Sequence, residues 1–176
     1  TGFGLLRGFY TREQFAKTLT LMVMDEAPDG KDENAGNDIA KSKYREYISY
    51  VVTAGLMDVN SAGQFKPADF IDYEAAVKGL VSVLGYTNYA GESGKENWFH
   101  YEALRLGILS GVKIDDTTRL TRNEVSSLVY NAMSVIPAPM GYETPNTVRR
   151  TLLEKKMLIK YSGRLLANSG AGLMIP

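Results

Sequence analysis

Apolar residues recur at helical spacing in three stretches of this chain, and each stretch follows a short polar segment. Side chains three and four residues apart share one face of an α-helix, so each stretch predicts an amphipathic helix with a buried face. The apolar positions are Leu19, Met22 and Val23 in the first stretch, Leu80, Val83 and Leu84 in the second, and Val129, Ala132 and Met133 in the third.

The polar segments that open these helices are copies of one another. Residues 10–15, 71–76 and 120–125 align without gaps, and Arg12 and Arg122 take the same place in their cassettes. Repeats spaced by a few tens of residues are typical of helical units that bury their apolar faces against one another. We therefore predict an all-α fold of three tandem helix-loop-helix units in a pseudo-threefold bundle.

The second and third units each contain an earlier helix and a glycine loop. Residues 44–52 have the helical pattern in the second unit, and Gly55 is placed to end that helix in a left-handed cap. Residues 98–104 do the same in the third unit, and Gly107 and Gly111 follow them. Each complete unit is therefore expected to be a helix, a glycine-shaped turn, a loop and a cassette helix.

Polar, glycine-bearing stretches at 25–41 and 89–97 are predicted to link the units. The repeat domain then covers residues 1–136, in units of about 1–25, 42–86 and 95–136. The first unit lacks the helix that should precede its cassette. We therefore expect the chain to be a mature or proteolysed fragment of a longer protein.

Prolines interrupt the chain after the third unit. Residues 137–146 contain three of them and predict an extended connector. Asn146 is a candidate cap for a short helix through Leu152, Leu153 and Met157. We predict that residues 147–176 begin a second, β-containing domain.

Two of the cassettes contain a capping box. Thr11 with Gln14, and Thr121 with Glu124, have the spacing at which the hydroxyl and the Glu or Gln side chain each satisfy a backbone N–H. The arginine beside each threonine is not explained by capping, because a cation in the first turn opposes the helix dipole. A guanidinium at a helix start can instead hold an anion or pair with a carboxylate of the domain.

Composition narrows the function classes. The 176 residues have zero net charge, which argues against a broad surface for nucleic acid, and no apolar run suits membrane insertion. The chain has no Cys and one His, so thiolate metal sites, cysteine nucleophiles and histidine triads have no components. We predict no catalytic residues, no cofactor and no metal site.

Several motifs in the chain resemble those of a known family. The cassettes resemble the T-R-A-E signature of S-layer homology (SLH) domains, and residues 63–67 match that family's G-x-F-x-P loop. Residues 55–56 and 107–111 resemble its G-I-x-x-G turn, and Trp98 falls near its helix-opening tryptophan. The resemblance covers roughly residues 5–136. It implies three tandem repeats in a pseudo-threefold prism at the bacterial surface, which bind secondary cell-wall polymers, often through a pyruvate ketal.

The resemblance also implies which residues bind. It assigns contacts in the grooves between repeats to a set drawn from the cassettes and turns: Thr11, Arg12, Thr121, Arg122, Gly55, Gly107 and Gly111. The second cassette departs from the signature, since Asp72 and Tyr73 replace Thr and Arg. Tyr73 supplies no positive charge, so at least one of the three grooves is expected to differ.

Aromatic residues and the single histidine have two interpretations. Trp98 and the tyrosines at 44, 47 and 50 could stack on sugar rings, but their helical spacing favours core packing. His100 stands alone on a predicted amphipathic helix, which favours a surface or core-edge residue over a catalyst.

Three functions follow from these observations. The preferred one is non-enzymatic attachment of an extracellular bacterial protein to anionic, pyruvylated cell-wall polysaccharide, in the cell wall or S-layer. The second is an assembly module that packs with other protein subunits in an S-layer, appendage, secreted complex or virion, without glycan binding. The third is a fragment of an enzyme whose active site lies beyond Pro176.

Overall fold

The computed structural model describes residues 8–26, 28–29, 35–88, 97–139 and 148–156. These residues form six α-helices and one short 3-10 helix at Tyr86–Asn88, and no β-strand occurs among them, so the fold class is all-α. The α-helices are α1 Arg12–Val23, α2 Arg45–Thr53, α3 Tyr73–Val83, α4 Trp98–Arg105, α5 Arg122–Met133 and α6 Leu152–Lys155. In this part of the chain no helix has the length and apolarity needed to span a membrane.

The cassettes open helices as predicted. Thr11, Asp72 and Thr121 are the N-caps of α1, α3 and α5, and each side chain accepts a hydrogen bond from the backbone N–H three residues on. Such caps satisfy an N–H group that has no partner inside the helix. The predicted helices at 44–52 and 98–104 are also confirmed, as α2 and α4.

The three cassettes meet in a closed ring of backbone hydrogen bonds. Their first residues are Tyr10, Ile71 and Leu120. The Tyr10 N–H donates to Leu120 O over 2.9 Å, the Leu120 N–H to Ile71 O over 2.9 Å, and the Ile71 N–H to Tyr10 O over 2.8 Å. Equivalent residues of the three cassettes therefore make equivalent contacts, each with the next cassette.

A second set of hydrogen bonds lies beside this ring. It joins each helix start to the residues that precede another cassette. The N–H groups of Arg12, Tyr73 and Arg122 donate to the carbonyl oxygens of Asp69, Thr117 and Gly8 over 2.9, 2.8 and 2.8 Å. These are the first residues of α1, α3 and α5, whose N–H groups have no partner inside the helix. Contacts between cassettes thus satisfy donors that a single unit would leave unpaired.

One hydrophobic core lies beneath the ring. α1 packs against α2 and α3, and α3 packs against α4. The largest fully buried side chains come from all three units and include Phe15, Leu19, Ile48, Phe65, Ile71, Leu80, Ile108, Leu120 and Leu128. Trp98 is also buried in this cluster, which confirms core packing for that residue.

Part of a predicted linker belongs to the core. Ala35 and Ile39 are buried, although the sequence pattern places them in a polar stretch. The carboxylate of Asp38 accepts hydrogen bonds from the N–H groups of Phe65 and Lys66 over 2.9 and 2.8 Å. The short polar segment is therefore fixed against the loop at 58–67 by its own side chain.

The C-terminal described residues pack on the helical domain. Thr151, not Asn146, caps α6, through a capping box with Glu154. Thr151 and Glu154 have the T-x-x-E spacing of a capping box, which the sequence prediction overlooked. Leu152 and Leu153 are buried, and the Lys156 ammonium donates to Met24 O over 2.8 Å. Most of the predicted connector and residues 157–176 lie outside the described residues, so the second domain stays a prediction.

Candidate functional site

The two cassette arginines lie in different surroundings. Arg12 is half-buried, and its guanidinium donates through Nε to Phe65 O and through Nη2 to Asp58 O, each over 2.8 Å. The guanidinium carbon lies 4.8 Å from the centroid of the Phe65 ring, within cation–π range. Arg12 therefore ties the start of α1 to the loop of the second unit.

Burial lowers the pKa of the Arg12 guanidinium from its ordinary value, while nearby carboxylates, with Asp72 and Asp69 the strongest, act in the opposite direction. Arginine remains charged throughout the physiological range. The two carbonyl contacts use two of the five N–H donors of the side chain. No other acceptor among the described residues meets the remaining three.

The backbone at the start of α1 is already occupied. The N–H groups of Arg12 and Glu13 donate to Asp69 O and Pro67 O, over 2.9 and 3.1 Å. The next N–H, that of Gln14, donates to the Thr11 hydroxyl. The three N–H groups of the first turn are thus paired inside the domain. At this helix start an anion could contact the guanidinium but none of these three N–H groups.

The start of α5 makes fewer hydrogen bonds within the domain than the start of α1. The Arg122 side chain lies against Gly8, where an added Cβ would sit 3.4 Å from its Nε. Within the described residues the Arg122 guanidinium has no hydrogen-bond or ion-pair partner, and neither has the N–H of Asn123. The first two residues of this capped helix thus carry a planar guanidinium and a backbone donor without partners among the described residues, and both groups suit a carboxylate.

Both predicted capping boxes are present. The N–H of Thr11 donates to Gln14 Oε1 over 3.1 Å, and that of Thr121 to Glu124 Oε2 over 2.6 Å. Glu124 is buried and also accepts from the N–H of Asp115 over 3.0 Å. The threonines therefore order the helix starts beside the two arginines.

The three predicted glycines shape turns. Gly55, Gly107 and Gly111 have φ angles of +68°, +77° and +70°, in the left-handed region that side chains with a Cβ disfavour. A Cβ added at any of them would meet nothing within 4 Å. These glycines are thus required by backbone conformation rather than by crowding. The Asn131 amide holds the third-unit turn to α5 by donating to Ile108 O and Ser110 O over 2.9 and 2.8 Å.

The second cassette lines a cleft rather than presenting a cation. Tyr73 stands where the other cassettes have arginine, and its hydroxyl lies 2.6 Å from His100 Nδ1 on α4. Burial raises the pKa of the Tyr73 phenol above its ordinary value of 10.0. The space between these helices measures about 1110 Å³, and we name it the α3–α4 cleft. Its lining includes Asp58, Tyr73, Glu74, Trp98, His100 and Thr118.

The sequence did not reveal this cleft or the role of His100. A histidine and a tyrosine 27 residues apart form no recognisable motif, and only the packing of α3 on α4 brings them together. Asp38 was also missed, because the N–H groups from which it accepts, those of Phe65 and Lys66, lie 27 and 28 residues further along the chain.

Comparison with known families matches residues 37–77 to the S-layer homology domain. The match begins with the segment held by Asp38, continues through α2 and the loop at 58–67, and ends within α3. A search of curated proteins found no match. SLH domains are binding modules of cell-surface proteins. The resemblance drawn from the cassettes and loops is therefore confirmed for residues 37–77, which match the S-layer homology domain.

Proposed function

We propose that this chain is an extracellular attachment domain that binds an anionic, pyruvylated cell-wall polysaccharide through the start of α5. The observation that carries the proposal is that the Arg122 guanidinium and the N–H of the next residue, Asn123, both lack a partner among the described residues. A ketal carboxylate is a planar anion that a guanidinium can bind through two parallel hydrogen bonds. The domain itself acts as a binding module, with no catalytic step.

We propose further that residues 1–136 are three SLH-like repeats related by pseudo-threefold symmetry. The closed ring of Tyr10, Ile71 and Leu120 supports this arrangement, because each cassette makes the same contact with the next. The family match to residues 37–77 covers much of the second repeat. Residues 147–176 remain our proposal for the start of a further domain.

The predicted binding residues take different roles in this proposal. Arg122 is the principal contact, and Arg12 offers its three remaining N–H donors from a fixed position. Thr11 and Thr121 order the two helix starts. Gly55, Gly107 and Gly111 act at a distance, by setting the turns that precede the cassettes.

The test is retention on purified peptidoglycan that carries its secondary polymer, compared with peptidoglycan stripped of the polymer. We expect Arg122→Ala to weaken retention about tenfold or more, the value of a charge-assisted contact of about 1.5 kcal/mol or above. Arg105→Ala is the matched control, since Arg105 is an exposed arginine paired with Glu102 on α4. Equal retention of wild type and Arg122→Ala, or equal retention on stripped peptidoglycan, would contradict the proposal.

A second candidate function is assembly with other protein subunits. Tyr101 and Leu104 are 64% and 51% exposed and lie three residues apart, so they share one face of α4. Exposed apolar side chains on one helix face suit protein–protein packing. Light scattering of the wild type and of Tyr101→Ser/Leu104→Ser would test it: a self-associated wild type and a monomeric variant would favour assembly.

A further inference from the structure

The third cassette helix, α5, lacks a neighbour of the kind that the other two cassette helices have. α1 packs against α2 and α3 packs against α4, whereas α5 packs mainly against α3 among the helices that the structure describes. The cassette alignment makes Tyr130 of α5 equivalent to Thr20 and Val81, which are both fully buried. Tyr130 is 64% exposed. A position that two cassette helices bury therefore faces solvent on the third.

The exposed side of α5 carries no charge along most of its length. Asn123, Ser126 and Tyr130 are exposed and lie three and four residues apart, so they share one side of the helix, which we name the outer α5 face. The charged residues of α5 are Arg122 and the buried Glu124, both in its first turn. Depletion of charge around an exposed tyrosine is typical of the central part of a protein–protein interface.

The contact that holds a covering helix on the other cassette helices is missing from α5. The Lys17 ammonium of α1 lies 5.8 Å from the centroid of the Tyr47 ring on α2, and the Lys78 ammonium of α3 lies 5.9 Å from that of the Phe99 ring on α4. The equivalent residue of α5 is Ser127. Whatever covers α5 is therefore held by uncharged contacts rather than by an ammonium over a ring.

The same unit presents a surface that suits the outer α5 face. Tyr101 and Leu104 are exposed on α4, and we name them the outer α4 face. The charged residues beside them, Glu102 and Arg105, form an ion pair with each other. Contact between the two outer faces would therefore bury apolar and aromatic surface without leaving a charge unpaired.

We propose that the outer α5 face of one copy of this chain packs against the outer α4 face of a second copy. Both faces belong to the third unit, so a twofold arrangement pairs each face with its complement and closes the assembly as a dimer. Tyr130 is the buried anchor of each contact, and Asn123 and Ser126 lie at its polar edge. The inference is independent of polysaccharide binding.

The test is sedimentation equilibrium of the intact chain over concentrations from about 1 μM to about 1 mM. We expect a reversible dimer. Tyr130→Lys and Leu104→Glu should each raise its dissociation constant about tenfold or more, because each variant buries an unpaired charge in the interface. Val148→Lys is the matched control, since Val148 is an exposed apolar residue outside both faces and its substitution should change nothing.

The double variant Tyr130→Lys/Leu104→Glu tests which faces pair. In the proposed dimer each new lysine faces a new glutamate of the other copy, so the double variant should associate more tightly than either single variant. Circular dichroism checks that all variants keep the wild-type helix content. A wild type that stays monomeric up to 1 mM would overturn the inference. Equal effects of Tyr130→Lys and Val148→Lys would also overturn it, and so would a double variant that associates no more tightly than the single ones.

Discussion

Replacing the two cassette arginines by alanine should have opposite consequences for stability and binding. In Arg12→Ala the carbonyl oxygens of Phe65 and Asp58 each lose a charged donor, and the Phe65 ring loses its cation. In Arg122→Ala no hydrogen bond between described residues is lost, since the backbone contact to Gly8 remains. We expect the first variant to be destabilised and the second to fold as the wild type does.

The magnitude follows from the contacts of Arg12. Hydrogen bonds to charged groups contribute about 1.5–3 kcal/mol each when well buried, and an exposed cation–π contact about 0.5–1 kcal/mol. One of the two carbonyl contacts is exposed to solvent, so we discount the total to about 2–4 kcal/mol. For Arg122→Ala we expect a change within about 0.5 kcal/mol, because removal of a cation from the first helical turn also relieves its repulsion by the dipole.

Urea unfolding, monitored by circular dichroism, measures the free energy of unfolding of each variant, and thermal unfolding provides a check. At about 3 °C per kcal/mol for a chain of this size, Arg12→Ala should lower Tm by about 6–12 °C. Arg12→Lys is the control: it keeps the charge but lacks the planar fork that serves two carbonyls, and should recover only part of the loss. The assignment of roles to the two arginines is wrong if Arg12→Ala has the same free energy of unfolding as the wild type and Arg122→Ala has a lower one.

Three further predictions concern residues that shape the site. Gly55→Ala should cost about 1 kcal/mol in urea unfolding, because alanine is strained at a φ of +68°, whereas Gly55→Asn should cost less; equal stability of both variants would contradict a conformational role. Thr121→Ala should cost about 1 kcal/mol by loss of the cap and Thr121→Ser nearly nothing, and an alanine variant as stable as the serine variant would refute the capping role. Asp38→Ala should cost about 1–3 kcal/mol, since two backbone N–H groups lose their acceptor, while Asp38→Asn should keep one of these contacts and retain part of the stability. Unchanged hydrogen exchange at Phe65 and Lys66 in Asp38→Ala would count against that contact.

Local patterns predicted the elements of this fold because local physics decides them. The capping boxes at Thr11 and Thr121 each fall within one helical turn, and the apolar spacing behind them falls within the same helix. The left-handed turn at Gly55 depends on one residue's backbone freedom. These features depend on residues close in sequence, so the residues alone were sufficient to place them.

The candidate site was predicted less completely, since its chemistry depends on neighbours distant in sequence. Arg12 and Arg122 are equivalent in their cassettes, yet only Arg12 faces the carbonyls of Phe65 and Asp58. No local pattern distinguishes the two, because the difference lies in which loop packs beside each helix start. His100 was expected at a surface or core edge, and its contact with Tyr73 arises only when α4 packs on α3.

Sequence alone determined the helical class, the starts of α1, α3 and α5, and the resemblance that the family match confirms for residues 37–77. Tertiary structure decided how the cassettes close into a ring through Tyr10, Ile71 and Leu120, and which cation is left available to a ligand. The physical reason is one of range. Capping and helical periodicity are settled within a few residues, whereas hydrogen bonds and charges between units are settled by packing of the whole domain.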